Sequence, residues 1–461
     1  MTESLQRVTV VGAGISGLAC AYRLDQLGVS ASVLEQSEHP GGVIKIEETS
    51  GFLFESGPQS FLGAEPLLTL VRELGLESEL QIADPGAPRF IVKGKRLHKL
   101  PMSPQAMLRS SFLAPSSRWK LAAEPFRKSK PPASDETIAN FVRRKFGNEI
   151  LEYLVAPFVS GVYAGDPERL SLRAAFPQVD EWEREYGSVL RGAIKSRPKG
   201  ETKASRPQLC SFRQGVATLP RAIAKTLGAN LHMGVNITRV RSRQSHPAIF
   251  DFESVNSGVG PRQNSSSVVV VATAAYTAAD LVREISPGLS AALSGIAYAP
   301  VAVVAAGYKR EQILDPLYGF GFLVPRREQI RTLGTVWNSS LFRGRGPDGT
   351  VTMTSFIGGA TDLEIVQHSD QEIARIVHHD NAMLLGINGE ALVTKIWKYS
   401  RALPQYNVGH GQVVESIRQA ENGLPGLFLT GNYLDGPSLA KCVENGFQTA
   451  ARVAAYLQSA G

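Results

Sequence analysis

A multidomain protein of mixed α/β and α+β class is predicted by three features of this 461-residue sequence. The length exceeds what one hydrophobic core usually organises, so two or three domains are expected. A strand, a glycine turn, a helix and a second strand follow one another across residues 8–35. A second strand–turn–helix layout, "LFLTGNYLDGPSLAKCVENG" at residues 427–446, stands at the far end of the chain.

The opening unit begins with Val8–Val11, a β-branched run suited to a buried parallel strand. Gly12-x-Gly14-x-x-Gly17 follows at once, and Leu18, Ala21, Tyr22 and Leu24 then recur at helical spacing. Val29–Leu34 reads as a second strand ending in Glu35. Gly12 allows the tight turn, Gly14 lets a pyrophosphate approach the backbone, and Gly17 lets helix and strand pack closely. Glu35 can accept hydrogen bonds from both hydroxyls of an adenosine ribose. In this context the motif predicts a Rossmann-like dinucleotide site made by Gly12, Ala13, Gly14, Ile15, Ser16 and Gly17, with Glu35 and Gln36 at its edge. Two further turns select FAD over NAD. Gly41-Gly42, followed by Val43, gives backbone clearance for a longer ligand laid across the sheet. In "FLFESGPQSF", Gly57-Pro58-Gln59-Ser60 form a rigid turn where main chain can border an isoalloxazine.

The closing stretch completes such a site. Leu427–Leu429 is a short apolar run that breaks at Thr430-Gly431-Asn432. Gly431 and Asn432 are expected to flank the pyrophosphate and ribityl chain. Pro437, Ser438 and Leu439 are expected to start a helix, with Pro suited to its first turn. The N-terminus of that helix favours negative charge at the pyrimidine end of a flavin, with the N–H of Val443 directed at the ring. Cys442 reads as a packed thiol rather than a covalent attachment point, because no acid or base stands near it in sequence. The cofactor is therefore expected to be non-covalent FAD, one per chain.

Charge is unevenly placed. The net charge is +7, and residues 93–130 carry ten Lys/Arg against Glu124 alone. Leu97, Leu100, Met102, Met107, Leu108, Phe112, Leu113, Trp119 and Phe126 interleave with those charges. From the residues alone this is either a membrane-surface element or a solvated basic face on a helix pair. No nucleic-acid motif accompanies the charge, so no nucleic-acid partner is expected. Cys20, Cys210 and Cys442 are few and far apart, which argues against a disulfide framework and a zinc site and fits a reducing compartment. No metal is expected. The sequence opens without a basic region ahead of an apolar core and contains no run of 18 apolar residues, so neither a signal peptide nor a transmembrane helix is expected. Residues 261–267, "PRQNSSS", read as a polar hairpin loop.

Beyond these features the chain resembles the flavin-dependent protoporphyrinogen oxidases, within the amine-oxidase-like flavoproteins. The resemblance is carried end to end by "VVGAGISGLACAYRL", "ESGPQSF", "FVSGVYAGDPERLSLRAAFP", "SGIAYAPVAVV", "GFGFLVPRREQIRTLGTVW", "TSFIGGA", "RALPQYNVGH" and the closing stretch. It implies an FAD-binding domain assembled from 1–85, 205–275 and 400–461. It implies a helical membrane-associated domain over 93–195, and a sheet-based substrate domain from 86–92 and 276–399. By the same resemblance the backbone of Val240 meets the adenine, Arg89 holds a propionate, and Phe322, Leu323 and Trp337 line the substrate pocket. The implied reaction is the six-electron oxidation of protoporphyrinogen IX to protoporphyrin IX, with dioxygen as acceptor and hydrogen peroxide as product. The flavin carries the hard step, so no catalytic side chain is assigned; His410 reads as a turn histidine bonding the backbone. The resemblance also favours peripheral membrane association on the cytoplasmic side, and a homodimer. Two positions depart from the pattern: Val43 replaces a usual Arg, and Lys441 stands where bacterial relatives often place Asp. Three other readings remain open: coproporphyrinogen III oxidation by the same fold, amine oxidation, and non-catalytic tetrapyrrole carriage.

Overall fold

The computed structural model describes residues 6–127, 132–196, 207–243, 249–256 and 259–459. Parts of the expected segments, including Lys128, Lys130 and residues 197–206, lie outside them.

The first sheet is built on the β-branched runs. Gln6–Val11 pairs in parallel with Ala31–Leu34 on one side and with Ser266–Val271 on the other. Leu427–Leu429 pairs in parallel with Val269–Val271, which brings the closing motif back beside the opening one. Val268 to Val271 are wholly buried, as expected for a parallel strand covered on both faces. Helices Ile15–Gln26, Thr218–Leu227 and Leu439–Ser459 supply the apolar side chains of one face. Ala275–Leu281, Pro287–Ser294 and His410–Asn422 supply those of the other. An antiparallel extension, Val235–Arg243 with Ile249–Asn256, continues from the same central strand. The loop expected at 261–267 is instead part of that strand, Val259–Val271. Its polar residues pair with Ile249–Asn256 before the chain enters the parallel sheet, so polarity here marks a ladder away from the core.

The second sheet has seven strands in the spatial order Val393–Pro404, Tyr298–Lys309, Thr350–Gly358, Thr332–Val336, Gly321–Leu323, Arg89–Lys93 and Arg96–Lys99. All neighbours are antiparallel except Gly321–Leu323 with Arg89–Lys93. Helix Asp370–Leu385 closes one face through Ile373, Val377 and Leu385. Residues 93–99 thus belong to this sheet, and the helical layer starts at Pro104. Residues 275–294 pack on the first sheet, so the second begins at Tyr298.

The helical layer runs from Pro104 to Lys195 around Phe112, Leu121, Phe141, Val142, Val159 and Tyr163. A buried ionic knot joins its helices. Lys145 Nζ lies 2.8 Å from Glu183, which also pairs with Arg144 at 2.7 Å. Glu124, likewise buried, accepts from Ser188 Oγ and the Val189 N–H. Buried charges persist when paired and hydrogen-bonded in this way. Among the described residues no helix is long and apolar enough to cross a membrane, and no cluster of His, Cys, Asp and Glu could hold a metal ion.

Candidate functional site

The opening glycines form a backbone concavity. Gly12 adopts φ +105°, which only glycine takes readily, and its N–H bonds the Leu34 carbonyl at 2.8 Å. A side chain on Gly17 would collide with the Gly12 carbonyl and come within 2.9 Å of the Ala272 Cβ, so helix and strand touch there. At Gly14, by contrast, an added Cβ would meet nothing within 4 Å. Gly41, also at φ +105°, donates to the Ala13 carbonyl at 2.8 Å and sets the second glycine pair against the first. An added Cβ at Gly42 would meet only the Gly14 Cα, at 3.6 Å. The space is thus bounded by glycine backbone at the N-terminus of a helix, an arrangement that fits a dinucleotide pyrophosphate. Ile15 and Ser16 are buried behind it, and Val43 is half exposed beside it. Glu35 is buried, and its carboxylate accepts from the Ala13 N–H at 2.7 Å and from the Ser37 N–H and Oγ at 2.9 and 2.8 Å. It therefore anchors the turn itself. Gln36 is exposed.

The closing turn faces the same region. Thr430 donates its N–H to Val271 O, and its hydroxyl is buried with no partner among the described residues. Asn445 holds the Gly431 carbonyl at 3.3 Å, and Tyr406 donates its hydroxyl to the Asn432 carbonyl. His410 bonds the Tyr433 carbonyl at 2.9 Å and stacks on Tyr406, the backbone role read for it from the sequence. Burial lowers its pKa. Pro437 and Ser438 precede the helix Leu439–Ser459, and Ser438 Oγ accepts from the Lys441 N–H at 3.3 Å. Val443 is the fifth residue of that helix, past the first turn whose N–H groups lack intrahelical partners. Its side chain is wholly buried in the core of the first sheet. Cys442 is buried, and burial pushes its thiol up to about 11, far from a reactive thiolate.

The turn Ser56–Ser60 joins the two sheets. Ser56 Oγ donates to Val43 O, and an added Cβ at Gly57 would sit 2.5 Å from that same carbonyl oxygen. Pro58 and Ser60 are half-buried. The Val240 side chain is fully buried in the strand Val235–Arg243. That strand meets Glu35 through Val235, whose N–H donates to the Glu35 carbonyl at 2.7 Å.

Strand alternation divides the residues expected to line a substrate pocket. Successive residues of a strand point to opposite faces, so Phe322 and Leu323 cannot line one pocket together. Phe322 is buried in the cluster that includes Trp337, Tyr308 and Met353, on the face covered by the helix Asp370–Leu385. Phe322 and Trp337 are therefore core. Leu323 faces the helical layer, where an added Cβ at Gly161 would come 2.8 Å from its Cδ2. Register places Arg89 opposite Gly321 and Ile91 opposite Leu323, so Arg89 shares the Leu323 face. Arg89 is exposed, lies over the Phe320 ring at 5.3 Å, and pairs with no carboxylate among the described residues. The same register adds Phe356, Trp397 and Tyr399 to this face. The alternating "TSF" and "WKY" would have offered them from sequence. Burial raises the Tyr399 pKa, against a hydrogen bond with Ser56 in the Ser56–Ser60 turn.

Comparisons with known proteins agree with this geometry. The family model for flavin containing amine oxidoreductase matches residues 15–454. The chloroplastic protoporphyrinogen oxidase of Nicotiana tabacum is 35% identical over 97% of this chain and 85% of its own length. The coproporphyrinogen III oxidase of Bacillus subtilis is 28% identical over the full length of both. A solved structure of a protein from Exiguobacterium sp. 255-15 superposes with a TM-score of 0.83 at 23% identity, over 99% of each chain. The chain therefore belongs to the flavin-containing amine oxidoreductases, as a flavin-dependent oxidoreductase grouped with the protoporphyrinogen oxidases.

Proposed function

We propose that this protein oxidises protoporphyrinogen IX to protoporphyrin IX, using one non-covalently held FAD per chain and dioxygen as the final acceptor. The carrying observation is Arg89. It is an exposed guanidinium without a carboxylate partner among the described residues, and it shares the apolar Leu323 and Phe356 face. A flat apolar macrocycle with propionates along one edge matches a wall of that kind.

A bound flavin supplies hydride acceptance and returns the electrons to dioxygen; three turnovers remove six electrons and six protons and convert three dioxygen molecules to three hydrogen peroxide. The chain's own residues bind and orient. Gly12–Gly17 and Gly41–Gly42 would hold the pyrophosphate, the Leu439 helix start would favour the pyrimidine end, and Arg89 would fix the macrocycle's edge. The pyrrole lone pair assists hydride loss, and no side-chain base is assigned.

We also place the protein peripherally on the cytoplasmic side of a membrane, as a homodimer. Trp119 and Phe126 project from the helical layer at 72 and 80% exposure, and Met102 just ahead of it at 60%, among basic residues, which supports membrane contact. Side-by-side initial rates with protoporphyrinogen IX and coproporphyrinogen III in air, corrected for autoxidation, test the assignment. Faster turnover of coproporphyrinogen would transfer the enzyme to that substrate, and no turnover of either would return amine oxidation or carriage to consideration.

A further inference from the structure

We propose that Gln59 is a positioning residue that sets the spacing between the flavin-side turn and the cleft face of the second sheet. The inference rests on the flavin reading of the Ser56–Ser60 turn. Gln59 is 5% exposed, so its amide must find partners inside the protein. Its Nε2 donates to the carbonyls of Glu55 and Gly57 at 3.0 and 2.8 Å, which closes the turn on itself. Its Oε1 accepts from Asn338 Nδ2 at 2.7 Å and Thr354 Oγ1 at 3.0 Å, both on the other sheet's side. An amide has two donor hydrogens and two acceptor lone pairs, and all four are used. The Nε2 pair stays within the turn. The Oε1 pair reaches 279 and 295 residues along the chain, to the second sheet and the short helix that follows Trp337. Thr354 lies on the cleft face two positions from Phe356. The amide therefore joins the backbone of Glu55 and Gly57 directly to the strand that carries the proposed substrate wall.

The surrounding junction supports the same alignment. Arg345 is buried and donates to Arg213 O, Ser211 Oγ and Phe212 O at about 3 Å. Its own carbonyl accepts from Leu53 at 3.2 Å and Thr352 Oγ1 at 2.8 Å. That contact fixes the hairpin beneath the turn, and Gln59 fixes the turn itself. A shift of either Oε1 bond changes where Phe356 and Leu323 stand relative to the flavin-side main chain, while the pyrophosphate cradle at Gly12–Gly17 is untouched.

The test uses FAD-loaded wild type, Gln59→Leu, Thr354→Val and the double variant. Two quantities are read: the visible absorption band of the bound flavin without substrate, and KM and kcat for protoporphyrinogen IX. Thr354→Val is expected to move the flavin band and to raise KM by about threefold or more, the low end of coupling between contacting residues, with a smaller change in kcat. The double variant is expected to be no worse than Gln59→Leu. A Thr354→Val protein with the wild-type band and KM, or single effects that multiply in the double variant, would overturn the proposal. If Gln59→Leu fails to hold flavin, Asn338→Ala replaces it, and the same non-multiplying pattern with Thr354→Val is required. If wild type turns over no porphyrinogen, the functional assignment fails, and the flavin band still decides the role of Gln59.

Discussion

Replacing Gly14 and Gly17 by alanine separates cofactor binding from folding. The two glycines are three residues apart in one motif, yet their surroundings differ. An added Cβ at Gly14 would meet nothing within 4 Å, and its φ of −65° suits any residue. Gly14→Ala should therefore fold normally and melt within a few degrees of wild type. Its methyl would occupy the space assigned to the pyrophosphate. Losing one or two charge-assisted hydrogen bonds there costs about 1.5–3 kcal/mol each, so FAD affinity should fall by about 10- to 100-fold or more. At Gly17 the methyl would meet the Gly12 carbonyl and approach the Ala272 Cβ to 2.9 Å. Overpacking of that kind costs about 1–3 kcal/mol and more when backbone must move. Gly17→Ala should lower the melting temperature of the flavin-free protein as well as weaken FAD binding. Calorimetry of flavin-free protein and titration with FAD, followed by quenching of flavin fluorescence, give the two numbers. Wild-type FAD affinity in Gly14→Ala would refute the placement of the pyrophosphate over that glycine. Equal melting temperatures for the two variants would refute the packing account.

Arg89→Ala should raise KM for the porphyrinogen by about tenfold with little change in kcat, as expected when a ground-state contact is removed; an unchanged KM would remove Arg89 from the site. Glu55 is buried, and burial lifts its carboxyl to about 7 despite Arg345 and the Val216 N–H. Between about 4.3, its unfolded value, and 7 the folded state binds the extra proton, so stability should fall as pH rises, by up to about 1.4 kcal/mol per pH unit. Glu55→Gln should flatten that slope in denaturant titrations, and an unchanged slope would contradict the burial argument. Trp119→Ser with Phe126→Ser should abolish flotation with anionic vesicles without shifting the melting temperature, because both rings already face solvent; retained flotation would exclude this surface. Acid precipitation of wild type should release all the flavin, since the Cys442 thiol is buried and un-ionised; flavin in the pellet would point to a covalent bond.

The glycine-turn half of the candidate site was readable because its requirements are local. Gly12 needs its φ, Gly17 needs its missing Cβ, and both demands leave a mark on a short stretch of chain. The same holds for the return of Leu427–Leu429 to the sheet, which an apolar triplet before a glycine turn announces. The proposed substrate wall was less readable, because which face a strand residue takes depends on partners hundreds of positions away. Phe322 and Leu323 look equivalent in sequence, and only the pairing with Arg89–Lys93 and Thr332–Val336 divides them. Domain limits were blurred for a related reason. Residues 93–99 carry the charge pattern of the basic segment but pair as an edge hairpin, and a charge count does not register hydrogen bonds. Val235, at the start of the strand that carries Val240, is the residue whose N–H meets the Glu35 carbonyl.

The close approach of the closing helix to the opening one has a consequence for how the molecule is made. An added Cβ at Gly446 would lie 2.5 Å from the Ser16 carbonyl oxygen and 2.9 Å from the Ala19 Cβ, so the two helices meet backbone to backbone. During synthesis the glycine turn emerges first and the helix that covers it emerges last. Throughout translation the opening helix therefore presents an unfilled apolar stripe, Leu18, Ala19 and Tyr22 among it, while the segments in between assemble. A chain stalled before residue 439 would keep that stripe open, and quality control that recognises exposed apolar surface would find it there. A permuted gene that encodes residues 427–459 ahead of residue 6 would close the stripe early, and should give more soluble protein whenever synthesis is slow.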